Sequence, residues 1–272
     1  MNFLRLSVFP FPTVAEVIAK RKSLIFTPNA VITLRINNND VEHIGEYASA
    51  MTIDTQTIWN GVIGTMELRS KPLVDITKIA VFPNRKRKLI TIRFTGINVN
   101  NETNQSTLRI VAISSQKKHK AVLHTIEIAD QMDYEITYKM SGYHSWDEHD
   151  PNVYSLHLTL NNHEHVVPVG MREISTKNRQ ILINDQPAFL IGTLECCIFP
   201  LTGYPPTTRP YWEKLFHQVD AYGLNHVRFH SWCPPEVAFE VADAIGIYLQ
   251  VEAPLWMDRW TNLVIGDDPK HY

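Results

Sequence analysis

Residues 189–251 read FLIGTLECCIFPLTGYPPTTRPYWEKLFHQVDAYGLNHVRFHSWCPPEVAFEVADAIGIYLQV, and this stretch decides the fold of the C-terminal third. Continuous apolar runs alternate with runs whose apolar residues recur at helical spacing, and Gly223 and Gly246 stand where the two helices should end. The predicted order is strand 189–194, helix 211–222, strand 226–230, helix 235–245 and strand 247–251. The first of these strands is apolar throughout, which is typical of a strand buried on both faces. Strands that alternate with helices predict a parallel βαβαβ arrangement, as in a (β/α) barrel or a doubly wound sheet.

The preceding residues have the pattern of antiparallel β structure. Short β-branched and alternating runs bounded by turn residues predict strands at residues 31–36, 76–82, 89–94, 108–113, 121–128 and 153–160. Residues 74–172 hold enough strands for one immunoglobulin-like sandwich. Residues before about Gly64 hold too few strands to close a second one. Residues 1–12 lack the features of a signal peptide, so an irregular or fragment-like start is expected.

Composition excludes several classes of protein. The chain has 272 residues, of which 44% are hydrophobic, so it can bury a sizeable core. Its 26 basic and 28 acidic residues give a formal charge of −2, without the basic excess typical of a nucleic-acid-binding surface. No apolar run approaches the roughly 20 residues of a membrane span. Three cysteines are too few for a disulfide-built scaffold.

Charged and aromatic residues stand at the ends of the three predicted parallel strands, where α/β proteins carry their working side chains. These candidate binding residues are Glu195, Arg228, His230, Trp232, Glu252 and Trp256. Charged groups hydrogen-bond hydroxyls and indoles stack on sugar faces, so the set predicts a site for a neutral polyhydroxylated ligand.

Simpler interpretations stay open beside this one. Arg228 and Glu252 can form a structural ion pair between neighbouring strands. The cysteines fit inert buried thiols, and a weaker alternative is a thiol–metal site built from Cys196, Cys197, Cys233 and His230. The histidine pairs His163/His165 and His144/His149 fall in predicted sandwich loops, where no catalytic role is expected. Neither a G-x-S-x-G elbow nor a G-x-G-x-x-G phosphate loop is present at the relevant places.

The motifs together resemble glycoside hydrolase family 2, the β-galactosidase and β-glucuronidase group. Residues 223–228, GLNHVR, with His230 and Pro234 after them, look like that family's second barrel strand. Residues 239–252 look like its following helix and strand. Further upstream, residues 57–64 are similar to the exit of its sugar-binding jelly roll, and residues 183–187 to the hairpin that opens its barrel. Residues 146–147, 151–156 and 169–174 are similar to the end of its immunoglobulin-like domain. The resemblance implies a multidomain β plus α/β protein with a partial jelly roll at 1–64, an immunoglobulin-like sandwich at 65–174 and the first strands of a TIM barrel at 175–272.

The resemblance also implies an activity, the hydrolysis of O-glycosidic bonds in β-linked carbohydrates. The family's catalytic glutamates follow barrel strands four and seven, so the chain is expected to be a fragment, truncated at both ends, with no catalytic residue, metal or cofactor of its own. Residues 195–204 depart from the family's Gly-x-x-x-His pattern after strand one, which leaves the sugar open. The implied partner is a carbohydrate, neither a nucleic acid nor a membrane, and a homo-oligomer is left open. Family members are often periplasmic or secreted. The alternative is a non-enzymatic carbohydrate-binding or adhesion module in which the sandwich does the binding.

Overall fold

The computed structural model describes residues 2–8, 13–17, 62–100 and 103–253. The predicted strand at 31–36 and the candidate residue Trp256 lie outside these ranges. The described residues divide into two compact units: one holds residues 71–100, 103–189 and 243–246, and the other holds residues 2–8, 13–17, 62–70, 190–242 and 247–253.

The unit around residues 71–189 contains seven long antiparallel strands in two sheets. These are β4 Val74–Asn84, β5 Leu89–Asn98, β6 Asn104–Ile113, β7 Val122–Ile128, β8 Met132–Lys139, β9 Val153–Leu160 and β10 His163–Gly170. One sheet has the order β4-β5-β8 and the other the order β10-β9-β6-β7. Their inward residues form one core, which includes Ile90, Ile92, Phe94, Tyr154, Leu156 and Leu158. Alternate positions of β9 are buried, as the period-2 pattern predicts, so the expectation of an antiparallel sandwich is confirmed for this unit.

Two of these strands were not predicted. The strand β8, MDYEITYK, alternates apolar and polar residues, so its pattern is that of a half-buried strand although the segment was not among those predicted. The strand β10 contains Pro168 and three polar residues at its start, yet it is an edge strand, where a proline is tolerated. The expectation that His163 and His165 lie in a loop is therefore wrong, because both belong to β10.

The strand β4 is the opposite sheet's edge, and its pairing with β5 is interrupted. The register shifts between Thr77 and Ala80, where Lys78 has a φ of 50°. An extra residue in a left-handed conformation is a β-bulge, which bends the strand.

A small sheet follows the sandwich in the same unit, formed by β11 Ile174–Lys177, β12 Gln180–Ile183 and β13 Gln186–Pro187. The turn between β12 and β13 is Asn184-Asp185, with φ of 56° and 68°. Two left-handed central residues make the tight turn that suits a hairpin, and Asn and Asp tolerate this conformation well. The predicted hairpin at 183–187 is thus present.

The other unit contains a parallel sheet with the strand order β14-β15-β16. The elements of this βαβαβ segment are β14 Gly192–Glu195, α1 Arg209–Ala221, β15 His226–Phe229, α2 Glu236–Ile245 and β16 Tyr248–Val251, and the last three residues of α2 are grouped with the first unit. The helix α1 buries Trp212, Phe216 and Val219, and it ends before Gly223, whose φ is 70°. The predicted βαβαβ order is present. The same unit also holds an antiparallel sheet of β1 Asn2–Val8, β2 Thr13–Val17 and β3 Val62–Ser70.

One expectation about the first parallel strand is wrong. The strand begins only at Gly192, and the residues expected to be buried on both faces are exposed, with Phe189 at 79% and Leu194 at 48%. The helix α1 packs on one face of this sheet, because Val227 and Phe229 of β15 are buried and Phe229 contacts Trp212 of α1 at 6.1 Å between ring centroids. Of the helices in the described ranges, none has the length and hydrophobicity to cross a bilayer.

Candidate functional site

The carboxyl ends of the three parallel strands lie in register at one edge of the sheet. Leu194 pairs with Arg228, which pairs with Gln250, so the next positions on all three strands emerge side by side. Arg228 is exposed while its neighbours Val227 and Phe229 are buried. Successive residues of a strand point to opposite faces. Arg228 therefore projects from the face opposite that of Val227 and Phe229, on which Phe229 contacts α1.

Arg228 and Glu252 form an ion pair at this edge. The Nε of Arg228 donates to Oε1 of Glu252 at 2.5 Å, and a second guanidinium nitrogen contacts the same oxygen. The other oxygen, Oε2, accepts a hydrogen bond from the amide of Ser231 at 2.8 Å. Ser231 is buried and has a φ of 58°, an uncommon conformation for a residue with a side chain. The turn after β15 is thus shaped so that its amide holds the carboxylate.

The electrostatics keep Glu252 ionised. Partial burial opposes ionisation, but the hydrogen bonds from Ser231 and Arg228 and the charges of Arg228 and His230 hold the pKa of Glu252 below its usual value. His230 therefore lies close enough to act on this carboxylate, and its amide donates to the carbonyl of Glu195 at 2.9 Å. The interpretation of Arg228 and Glu252 as an ion pair between neighbouring strands is confirmed, and it leaves other guanidinium N–H donors for a ligand.

Glu195 has the opposite character. Burial raises the pKa of Glu195, although hydrogen bonds from the Cys197 amide, the Trp232 indole and the Ile198 amide act in the other direction. The Cys197 amide donates to Oε2 of Glu195 at 3.0 Å, and Cys197 itself has a φ of 62°. The site thus places one carboxyl group with a raised pKa and one with a lowered pKa on the two outer strands of the sheet.

Trp232 does not present its ring to solvent. It is 2% exposed and its ring contacts Phe199 at 5.4 Å and Phe229 at 5.2 Å between centroids, with Trp212 at 6.5 Å. Stacking on a sugar needs an uncovered face, and here neighbouring aromatic rings pack against the indole. The sequence places a tryptophan at a strand end, but which way its ring turns depends on residues far away in the chain.

The three cysteines are not gathered into a metal site. None of them forms a disulfide, and burial first, with the negative charge of Glu195 second, raises the pKa of the Cys197 thiol. Burial also raises the pKa of the Cys233 thiol. Among the described residues, the clustering of three ligand atoms within 4.8 Å occurs at Asp75, His163 and His165 instead. The thiol–metal alternative is therefore wrong for this structure.

The Asp75 cluster is the group that sequence reasoning missed. Burial acts against ionisation of Asp75, but hydrogen bonds with His165, His163 and the Ile76 amide leave its pKa below the usual value. A His-x-His pair on an edge strand was the available signal, since alternate residues of a strand share one face.

Comparison with known proteins finds similar folds among solved structures and a similar sequence over part of the chain. No family model matches the chain. A β-galactosidase from Staphylococcus xylosus is 27% identical over 112 residues, which are 41% of this chain and 11% of that protein. A glycosyl hydrolase family 2 member from Bacteroides cellulosilyticus has a TM-score of 0.65 at 14% identity, over 72% of this chain and 29% of the other.

A β-glucuronidase from Parabacteroides merdae has a TM-score of 0.59 at 16% identity, over 73% of this chain and 26% of the other. The chain thus spans about a quarter to a third of the length of these solved structures, and about a tenth of the β-galactosidase. At the level of fold, the likenesses confirm the predicted resemblance to glycoside hydrolase family 2.

Proposed function

We propose that this chain is part of a glycosidase of the family 2 type, which hydrolyses O-glycosidic bonds in β-linked carbohydrates. The observation that carries the proposal is the Arg228–Glu252 pair, fixed by the Ser231 amide at the strand ends of the parallel sheet. The likeness in fold to family 2 structures and the local likeness to a β-galactosidase support it.

The proposed domain order follows the family. Residues 1–64 would belong to a jelly-roll sugar-binding domain, residues 65–174 to an immunoglobulin-like domain and residues 175–272 to the start of a TIM barrel. The seven-stranded sandwich and the consecutive parallel strands support this order. In a closed barrel the helix-free face of the sheet faces inward and the strand ends line the active site, which is where Arg228 and Glu252 project.

The proposed role of the strand-end groups is to bind sugar hydroxyls. Arg228 supplies N–H donors, the carboxylate of Glu252 accepts, and His230 lies close to Glu252. Because Arg228 and Glu252 hold each other in place before a ligand arrives, little side-chain entropy is lost on binding. Glu195, whose pKa is raised by burial, can donate a hydrogen bond when protonated. Trp232 would support these strand-end groups indirectly, because its ring packs against Phe199 and Phe229. A sugar-binding role for Trp256 remains a prediction.

No residue of this chain is assigned a catalytic role. Retaining glycosidases need two carboxyl groups about 5–5.5 Å apart. Glu195 ends β14 and Glu252 follows β16, with β15 between these strands, and two strand spacings amount to about 9–10 Å. That separation is too wide for a retaining pair and at the upper limit for an inverting pair, and Glu252 is engaged by Arg228 and Ser231 through both oxygens.

The test of this proposed sugar-binding site is a titration of the purified chain with aryl β-galactosides and β-glucuronides, in which binding is measured by ligand-observed NMR. Charge-assisted hydrogen bonds contribute about 1.5–3 kcal/mol, so Arg228→Ala should weaken binding about 10–100-fold. The matched control is Arg209→Ala, which breaks a different ion pair, that with Glu240 at 2.8 Å between the helices. Equal weakening of binding in both variants, or unchanged binding in Arg228→Ala, would refute the proposal that the strand-end groups bind the sugar.

A turnover assay on the same substrates separates the enzymatic proposal from the alternative of a binding module. The chain alone should bind without enzymatic turnover. Turnover that disappears in Glu252→Gln would make Glu195 and Glu252 the active pair and overturn the assignment above. Binding that survives in Arg228→Ala would favour a sandwich-based binding module instead.

A further inference from the structure

Three metal-binding side chains from two edge strands meet in the sandwich. Asp75 lies at the start of β4, and His163 and His165 lie on the same face of β10. Oδ1 of Asp75 is 2.9 Å from Nδ1 of His163 and 2.7 Å from Nε2 of His165. The three candidate ligand atoms lie within 4.8 Å of one another.

The carboxylate of Asp75 is the unusual member of this group. The residue is 0% exposed, and its second oxygen, Oδ2, has no hydrogen-bond partner among the described residues. A buried carboxylate without solvent costs several kcal/mol unless a cation compensates it. Both histidines contact Oδ1 and leave Oδ2 without a partner among the described residues, so the cluster has a place for a cation.

We propose that Asp75, His163 and His165 bind a transition-metal dication of the Zn²⁺ type. Two imidazole nitrogens and one carboxylate oxygen are donors that suit Zn²⁺, Cu²⁺, Ni²⁺ and Fe²⁺, whereas Mg²⁺ and Ca²⁺ prefer oxygen alone. The side chains of His163 and His165 are 36% and 21% exposed, which gives a metal a route of entry and lets water complete its coordination.

The distances are close to those of a three-ligand centre. Metal–ligand bonds of about 2.0–2.2 Å at tetrahedral angles separate donor atoms by about 3.3 Å. The present separations of 2.7 and 2.9 Å therefore need to open by about half an ångström. Each imidazole must present an unprotonated nitrogen to the metal, so its proton stays on, or moves to, the other ring nitrogen.

Such a metal would link strands that no sheet hydrogen bond joins. The strand β4 is the edge of one sheet and β10 the edge of the other. Asp75 and His165 are 90 residues apart in the chain, so a metal bridge between them closes a long loop of the sandwich. The inferred role of the ion is structural: it holds the two sheets together at their shared open edge.

The experiment is a Zn²⁺ titration of the full chain after treatment with a chelator, with stoichiometry read by elemental analysis and affinity by competition with a chromophoric chelator. One equivalent of Zn²⁺ is expected, with selectivity over Mg²⁺. At a metal concentration about 100-fold above Kd, the Tm should rise by roughly 5–15 °C. Asp75→Asn and His165→Gln should each weaken binding by about 100-fold or more.

The matched control is His157→Gln. His157 on β9 pairs with Glu164 on β10 at 3.0 Å, so this variant removes a different histidine–carboxylate contact of β10 while leaving the cluster intact. Undiminished zinc binding in His165→Gln, or no stoichiometric binding by the unaltered chain, would overturn the proposal.

A measurement on the unaltered chain covers the case in which a variant fails to fold. Co²⁺ in a site of nitrogen and oxygen donors gives visible d–d bands without thiolate charge transfer, which is the expected spectrum. A strong near-ultraviolet thiolate-to-cobalt band would place the metal on the cysteines and refute the site at Asp75.

Discussion

Tyr138→Phe should destabilise the sandwich far more than the loss of one oxygen atom suggests. Tyr138 lies on β8 and is 1% exposed. Its hydroxyl donates to the carbonyl of Lys120 at 2.8 Å and accepts from the amide of Ala112 on β6 at 3.3 Å. The phenol therefore connects the two sheets, and burial raises the pKa of Tyr138, so the hydroxyl remains a donor.

The magnitude follows from what the backbone loses. The β6–β7 ladder reaches only as far as the pair Ile110–Val122, so the amide of Ala112 lies beyond it and depends on Tyr138. A hydrogen bond contributes about 0.5–1.5 kcal/mol net, and a buried donor left without a partner costs about 1–3 kcal/mol. We expect Tyr138→Phe to lower the free energy of unfolding of this unit by about 2–3 kcal/mol.

The assay is urea unfolding combined with hydrogen exchange of peptides from the sandwich. The control is Tyr134→Phe on the same strand, whose hydroxyl donates to the carbonyl of Glu127 in an exposed setting where water can replace it. That variant should cost under about 0.5 kcal/mol. Equal losses in the two variants, or a loss below 0.5 kcal/mol for Tyr138→Phe, would refute this account of the inter-sheet bond.

Three further predictions concern the parallel sheet. The lowered pKa of Glu252 means that its stabilisation is present above the ordinary glutamate pKa and is lost as pH falls through the lowered value. In a pH series of unfolding free energies, Arg228→Ala should therefore cost under about 1 kcal/mol at pH 7, and this cost should disappear once Glu252 is protonated. The raised pKa of Glu195 has the opposite effect, so stability should decline as pH rises through that pKa. In thermal melts over a pH series, Glu195→Gln should flatten this decline, and a steeper decline would contradict the burial of this carboxyl group. Gly192→Ala should weaken the pairing of β14 with β15, because an added Cβ would come within 2.8 Å of the carbonyl oxygen of His226 and would also collide with its ring. Hydrogen exchange in β14 and β15 should become faster, and unchanged exchange would count against the packing described.

The elements that the sequence predicted are those with a regular local spacing of apolar residues. Both helices carry apolar residues at helical spacing and end at Gly223 and Gly246, each with a positive φ. The strand β9 alternates so cleanly that its buried face can be named from the sequence. The Arg228–Glu252 contact was also foreseeable, because parallel strands bring their carboxyl ends to one edge.

The missed features depend on contacts between distant residues. Asp75 and the histidines of β10 lie about 90 positions apart, so nothing in either segment reveals the other. The burial of Trp232 likewise depends on Phe199 and Trp212, which reach it from a loop and a helix. Residues 189–191 are as apolar as a core strand, and only the structure shows that they precede the strand and remain exposed.

The bulge at Lys78 has a consequence for how this protein behaves in crowded solution. A regular edge strand offers unpaired amides and carbonyls that a second chain can extend, which is how β proteins aggregate. The register shift between Thr77 and Ala80 breaks that template in the middle of β4, and it sets a lysine at the break. The sheet thereby carries its own barrier to intermolecular strand addition at this edge.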